Sequence, residues 1–209
     1  HAQGIGSLGF KEVTITDDQN PLKIKTTTQY SQDWQNHTMG QVVSQSTITE
    51  GGQVLSSLNN MLATDEFLYG SQIVYHSYVD ISTQQKWDLN GEPMGTTVTD
   101  VGMDAYKNST SKLTTVTDPS GLQYLSEETN VFKPEDESAW FVGLLERQTV
   151  TNTIPNELPY QDSTETKTST YEYYPLSGAL RRSTLEPEVE ALKSVTEIIY
   201  DEHGLPSTT

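Results

Sequence analysis

Histidines are the first residues to test for chemistry, because a metal site needs two or more of them converging with carboxylates. The chain has four, His1, His37, His76 and His203, and no two have the four-residue spacing that places two ligands on one helix face. The absence of cysteine also excludes thiolate metal sites, disulfides and thiol nucleophiles. We therefore expect surface histidines, and neither a metal nor a cofactor.

Serine and carboxylate chemistry has little support. No Gly-x-Ser-x-Gly elbow singles out a nucleophile, and 29 acidic residues guarantee chance pairs of carboxylates. The most compact acidic run is residues 135–137, close in sequence to Trp140. Because it follows Pro134, we interpret it as a solvated loop. The sequence therefore predicts a protein without enzymatic activity.

Aromatic side chains suggest a different function. Trp34, Trp87 and Trp140, with eleven tyrosines, would form sugar-stacking platforms if their rings lined one sheet face. Aromatics are also what a sheet poor in aliphatic residues must use to bury area, at about 150–250 Å² each. A carbohydrate-binding adhesin segment at the cell surface is therefore the alternative function, with glycans as its partner.

The charge balance excludes other partners. Twelve basic against 29 acidic residues give a net charge of −17, so the scattered lysines and arginines cannot neutralise a run of nucleic-acid phosphates. No window of eighteen apolar residues is present, so we expect no membrane span. Hydrophobic residues make up 33% of the chain, against about 45–50% in ordinary globular domains, so the core must be thin.

Two-residue alternation of side-chain character dominates the chain. It predicts strands at residues 13–15, 22–30 and 73–81 and in nine further segments, 42–49, 54–58, 96–101, 113–117, 124–132, 144–153, 164–173, 180–185 and 195–200. Helical spacing is found at residues 58–67 and 186–193, enough for a turn or two each. The predicted fold is all-β, an antiparallel meander of twisted β-hairpins with little helix, in a single region over 1–209.

The connections between these strands repeat a five-residue pattern: a bulky residue, Asp, two variable residues and Gly. Two full copies are residues 87–91 and 200–204, and three looser copies are 103–107, 117–121 and 174–178. Asp accepts hydrogen bonds from N–H groups two residues on, and Gly takes the left-handed conformation that returns the chain. Lys107 occupies a Gly position, so that turn is either strained or built differently. The residues assigned to these structural turns are Trp87, Asp88, Gly91, Asp104, Asp118, Gly121, Tyr174, Gly178, Tyr200, Asp201 and Gly204.

These motifs resemble a known family. Residues 171–180 followed by 200–206 resemble two consecutive tyrosine-aspartate (YD) repeats of the Rhs type. Residues 4–10 resemble the Gly-x-Gly-x-Leu-Gly-Phe stretch of the shell-forming components of insecticidal toxin complexes. Residues 140–147 are similar to their Trp-Phe-x-Gly-Arg-Leu stretch, with Leu144 in place of Arg. Residues 118–121, Asp-Pro-Ser-Gly, resemble the start of an autoproteolytic site of that family, but they lie mid-chain and we interpret them as a turn.

The resemblance implies a piece of a β-sheet strip that spirals into a hollow shell around a toxic C-terminal polypeptide. We expect a non-enzymatic fragment of a larger protein that is secreted or displayed at the cell surface. Its partners would be the rest of that polypeptide and the toxin cargo. Because a piece of a strip has unpaired strand edges, we also expect self-association through those edges.

Overall fold

The computed structural model describes residues 9–69, 71–136, 141–155 and 163–208, and these residues contain strands and turns but no helix. The predicted all-β class is confirmed. The strands are β1 (Glu12–Asp17), β2 (Ile24–Tyr30), β3 (Val42–Ile48), β4 (Val54–Tyr69), β5 (Gln72–Trp87), β6 (Pro93–Met103), β7 (Ser109–Thr117), β8 (Gln123–Phe132), β9 (Leu145–Ile154), β10 (Ser163–Tyr173), β11 (Leu180–Leu185), β12 (Ser194–Glu197), β13 (Ile199–Tyr200) and β14 (Pro206–Thr208).

The order of strands in the sheet is their order along the chain. β1 to β12 form one antiparallel sheet in which each strand neighbours the one that follows it, and β13 and β14 form a separate two-stranded sheet. Such an arrangement needs hairpin connections only, without crossovers. The predicted antiparallel meander is therefore confirmed.

The contacts divide the chain into two compact units. The first comprises His1–Val101 and Thr114–Tyr124, and the second comprises Gly102–Leu113 and Leu125–Thr209. In the first unit the longest element is the β4–β5 hairpin, which pairs from Ser56 with Lys86 to Tyr69 with Gln72. This hairpin is longer than the predicted strands at 54–58 and 73–81. β1, β2 and β3 extend the sheet on the β4 side of the hairpin.

In the second unit, β8 to β12 pair in succession. The threonines of β9 face those of β10, and the hydroxyl oxygens of Thr151 and Thr166 lie 3.1 Å apart. Arg182 on β11 connects three strands, since it donates to Glu172 on β10 (3.2 Å) and, through Nε, to Glu197 on β12 (2.8 Å). These are the cross-strand pairs that stabilise a sheet locally.

No hydrophobic side chain is buried in the part of the chain that the structure describes, and its four buried residues are polar: Ser31, Thr38, Thr49 and Thr184. Within each unit the strands form a single layer whose two faces are half-buried or exposed. Hydroxyl pairs across neighbouring strands take part of the role of a core, as between Thr14 and Thr27 (3.1 Å). Composition predicts a thin core, and in the described residues contacts between neighbouring strands of the sheet take its place.

Both predicted short helices are wrong. Residues 58–67 lie inside β4, where they pair with β5 along the whole segment, with a register shift between Met61 and Leu62. An isolated helix of two turns has no comparable partner and is marginal in water. Residues 186–193 form successive tight turns, in which Val189 N–H donates to Glu186 C=O (3.1 Å) and Leu192 N–H to Val189 C=O (2.9 Å).

Candidate functional site

The recurring turns are the most regular feature of the chain. In four of them the aspartate Oδ1 accepts hydrogen bonds from the N–H groups two and four residues on, at 2.8 to 3.0 Å. The aspartate N–H donates to the carbonyl four residues on, and its carbonyl accepts from the N–H three residues on. One carboxylate oxygen therefore organises the whole reversal. The four aspartates are Asp88, Asp104, Asp118 and Asp201.

The position that closes each turn is left-handed. Its φ is +87° at Gly91, +91° at Gly121 and +75° at Gly204. Lys107 takes the same position with φ +69° and the same hydrogen bonds. Of the two alternatives open for that turn, the structure shows the strained one, which costs an L-residue about 1–2 kcal/mol.

The hydrogen bonds of the turns lower the pKa of two carboxyl groups. At Asp88 the main cause is the N–H of Glu92, and at Asp118 it is the side chain of Ser120, which donates at 2.6 Å. Donors that point at a carboxylate favour its charged form. Both aspartates are engaged in holding a turn, and Asp118 in the Asp-Pro-Ser-Gly stretch has its Oδ1 occupied by three donors.

The fifth predicted copy differs from the other four. Pro175 stands in the Asp position, and the turn begins one residue earlier, at Tyr174. Gly178 N–H donates to Tyr174 C=O (2.9 Å) and Tyr174 N–H to Ala179 C=O (2.9 Å). Gly178 remains left-handed at φ +67°, and a Cβ there would lie 2.9 Å from the ring of Phe141. This position needs glycine for its conformation and for the approach of the ring.

A further turn of the same class has no aspartate and was not predicted. Thr49 supplies a hydroxyl that accepts from Gln53 N–H (3.1 Å), Gly52 N–H donates to Thr49 C=O (2.9 Å), and Gly52 has φ +84°. The signal was present as Thr-x-x-Gly after Ile48, because a threonine hydroxyl makes the Asp contact more weakly.

Tyrosines near the turns bond to the backbone of other strands. The hydroxyl of Tyr174 donates to Ile198 C=O (3.0 Å), that of Tyr200 to Leu180 C=O (3.0 Å) and that of Tyr173 to Leu145 C=O (2.8 Å). Burial is the main reason that the pKa of Tyr173 is raised. In the second unit Tyr173 thus connects β10 with β9, and Tyr200 connects β13 with β11. Tyr174 follows β10 and contacts Ile198, which lies between β12 and β13.

The rings of Tyr174 and Tyr200 meet edge to face, with centroids 5.9 Å apart at 77°. They line an open cleft of about 520 Å³ between the turns at 174–179 and 201–205. Sugar stacking requires exposed, coplanar rings, and this pair is neither parallel nor free at its hydroxyls. The half-buried Trp87 ends β5 directly before the Asp88 turn, while Trp140 lies outside the described residues. The carbohydrate-binding alternative is not favoured by this geometry.

The three described histidines have different surroundings. His37 stacks on Tyr75 with centroids 3.6 Å apart, His76 lies beside Tyr78, and His203 occupies a turn position. The described residues contain no cluster of three or more metal-ligating side chains. His1, residues 4–8, Glu137 and Trp140 of the sequence motifs lie outside the described residues.

In the segments that the structure describes, no helix is long and apolar enough to cross a membrane.

Comparison with known proteins gives a match in structure alone. No family model and no curated protein matches the chain. The crystal structure of TcdB2-TccC3 matches 94% of the chain with a TM-score of 0.65 and 9% sequence identity, and the chain spans 15% of the length of that protein. A porin-like protein from Bacteroides uniformis is matched at a TM-score of 0.23 with 10% identity over 94% of this chain and 87% of that one, too low to carry an argument. At 9% identity, the first likeness shows a shared fold.

Proposed function

We propose that this chain is a non-enzymatic wall segment of an Rhs/YD-repeat toxin-related protein that is secreted or displayed at the cell surface. The wall would help to enclose or deliver a toxic polypeptide, and its partners would be the rest of the parent protein and that cargo. The observation that carries the proposal is the likeness in fold to a segment of TcdB2-TccC3 along nearly the whole chain.

The chemistry of the chain supports this role. A wall has to satisfy its backbone groups without a thick core, and in this chain twelve strands do so through ladders closed by short turns. The four aspartate turns close the connections β5–β6, β6–β7, β7–β8 and β13–β14. The Tyr200 hydroxyl attaches β13 to β11, which does not precede it directly in the chain. The net charge of −17 would keep a large exposed sheet soluble.

The proposal is tested by locating this segment in the parent protein. Leu176 is 97% exposed at the tip of the 174–179 turn, so an epitope inserted there should not disturb the strands. Electron microscopy of the parent bound to an antibody fragment against the epitope should show the label on the wall of a hollow shell. A label on a separate domain, or a parent without a cavity, would contradict the proposal.

A further inference from the structure

Among the described residues, the outer edge of β1 pairs with no strand, and it carries a distinctive set of side chains. β1 is the first strand of the sheet, and it pairs with β2 on one side and with no described strand on the other. Ile15 in the middle of β1 is 67% exposed. Lys11 directly precedes β1 and Asp17 ends it. Among the described residues Lys11 has no ion-pair partner, and Asp17 accepts hydrogen bonds through Oδ1 alone, in the turn that follows.

The hydrogen-bond register shows which backbone groups of β1 are free. Tyr30 N–H donates to Lys11 C=O (2.9 Å), and Lys11 lies opposite Tyr30 in the register that pairs Val13 with Thr28. Bonded and non-bonded positions alternate along an antiparallel strand, so every second residue from Lys11 onward bonds to β2. The N–H and C=O groups of Glu12, Thr14 and Thr16 therefore point outward.

We propose that a second copy of this chain pairs with this edge, β1 against β1, about a two-fold axis at Thr14. In this register Thr14 faces Thr14 of the second copy, and Glu12 faces Thr16. All three outward residues then gain both backbone hydrogen bonds, because each meets an outward residue of the other copy. The proposal goes beyond the wall function and does not depend on it.

Side chains select this register over its neighbours. Val13 faces Ile15 of the second copy, which covers the exposed Ile15 with an apolar partner, and Lys11 faces Asp17 at both ends of the paired strands. A shift by two residues in one direction places Lys11 against Ile15, and in the other it places Val13 against Asp17. The hydroxyl pair of Thr14 and Thr27 would then continue across the two-fold axis.

A single pair of six-residue strands buries less than the about 1,200 Å² of a stable complex. We therefore expect a reversible dimer that grows with concentration. Sedimentation equilibrium of the full chain over a concentration series at physiological salt should show masses rising from 23.3 kDa towards twice that value. Salt matters because two chains of net charge −17 repel each other when unscreened.

Proline substitutions test whether the dimer forms through the edge of β1 or the edge of β12. Thr14→Pro removes one outward N–H and no bond to β2, so the chain should fold normally and remain monomeric. Val195→Pro is the matched control on β12: Ile198 N–H bonds to Arg181 C=O, so Val195 lies at an outward position of the other edge. It should leave the dimer intact. Loss of association in Val195→Pro with a normal dimer in Thr14→Pro would overturn the proposal.

Charge and cross-linking variants test the register. Lys11→Glu should weaken the dimer about tenfold, since two attractive pairs become repulsive, while Lys25→Glu on β2 changes the net charge equally and should have no effect. In this cysteine-free chain, Thr14→Cys should form a disulfide dimer on oxidation. Thr16→Cys should not, because the two copies of residue 16 lie about 14 Å apart. Equal cross-linking of both variants, or a monomer at every concentration, would refute the pairing.

The two proposals fail separately. If sedimentation shows only monomer and the epitope label lies on the wall of a shell, the pairing is refuted and the wall function is supported. If the chain forms a dimer with the predicted register and the parent protein has no shell, the wall function is refuted and the pairing is supported.

Discussion

The phenolic hydroxyl of Tyr200 donates a hydrogen bond to the carbonyl of Leu180 over 3.0 Å, although twenty residues separate them in sequence. The contact joins the tyrosine before the Asp201 turn to the first residue of β11, and the Tyr200 ring meets that of Tyr174 edge to face. Since no apolar side chain is buried among the described residues, such a contact stabilises the fold where core packing would do so in other proteins.

Removal of this hydroxyl should therefore be measurable. Tyr200→Phe keeps the ring and leaves the Leu180 carbonyl without its donor, so the free energy of unfolding should fall by about 0.5–1.5 kcal/mol. Urea denaturation followed by circular dichroism measures it. Tyr124→Phe, at an exposed tyrosine for which the described structure shows no hydrogen bond, is the control and should stay within about 0.5 kcal/mol of the wild type. Equal effects of both variants would contradict this assignment.

Lys107 stores strain that a glycine would release. Its φ of +69° is the conformation that glycine has in the equivalent turns. Lys107→Gly should be more stable than Lys107→Ala by about 1–2 kcal/mol, because both variants lack the lysine side chain and only one keeps a Cβ. Thermal and urea unfolding of the pair measures this difference. Equal stabilities would show that the turn accommodates a Cβ without strain.

Two glycines should respond differently to alanine. At Gly121 a Cβ would have no atom within 4 Å, so Gly121→Ala carries the left-handed strain alone, about 1–2 kcal/mol. At Gly178 the Cβ would also press on the ring of Phe141 at 2.9 Å, so Gly178→Ala should destabilise more. In the double variant with Phe141→Ala, the added cost of Gly178→Ala should fall towards that of Gly121→Ala. An unchanged cost would exclude the ring as its source.

The aspartate turns predict a defined acid response. The pKa of Asp118 is lowered by its hydrogen bonds in the fold, so its charge contributes stability that is fully present above the ordinary value of 3.8. That contribution disappears as the pH falls through the lowered pKa. The stability difference between wild type and Asp118→Asn should be constant at neutral pH and shrink below about pH 4. Urea titrations at a series of pH values measure the difference, and a gap that persists to pH 2 would contradict this account.

Much of the fold follows from local rules. Alternation predicted most strands because each residue of a single-layer sheet lies on one face or the other. The same rule could not show how far the β4–β5 hairpin extends, because residues 58–67 also have helical spacing. The long ladder between β4 and β5 favours the strand over the helix there. Local pattern is a weak guide where pairing partners choose the conformation.

The turns and the tyrosine contacts show the same limit. An aspartate before a glycine indicates its own turn, because donor and acceptor lie within five residues. The Thr49 turn was not predicted because a hydroxyl replaces the carboxylate. The turn at Pro175 begins at Tyr174 because proline has neither an acceptor side chain nor the N–H that the aspartates donate. The contact of Tyr200 with Leu180 depends on how strands lie side by side, which no short motif records.

In the described part of the main sheet, the backbone ladders join each strand only to the strands beside it in the chain order. A hairpin can then be gained or lost by duplication or deletion of its gene segment, because the remaining hairpins keep all their neighbours but one. The number of strands is thus free to drift over evolution in a way that a protein folded around a shared interior does not allow. Relatives of this chain should differ in length by whole hairpins more often than by single residues within strands.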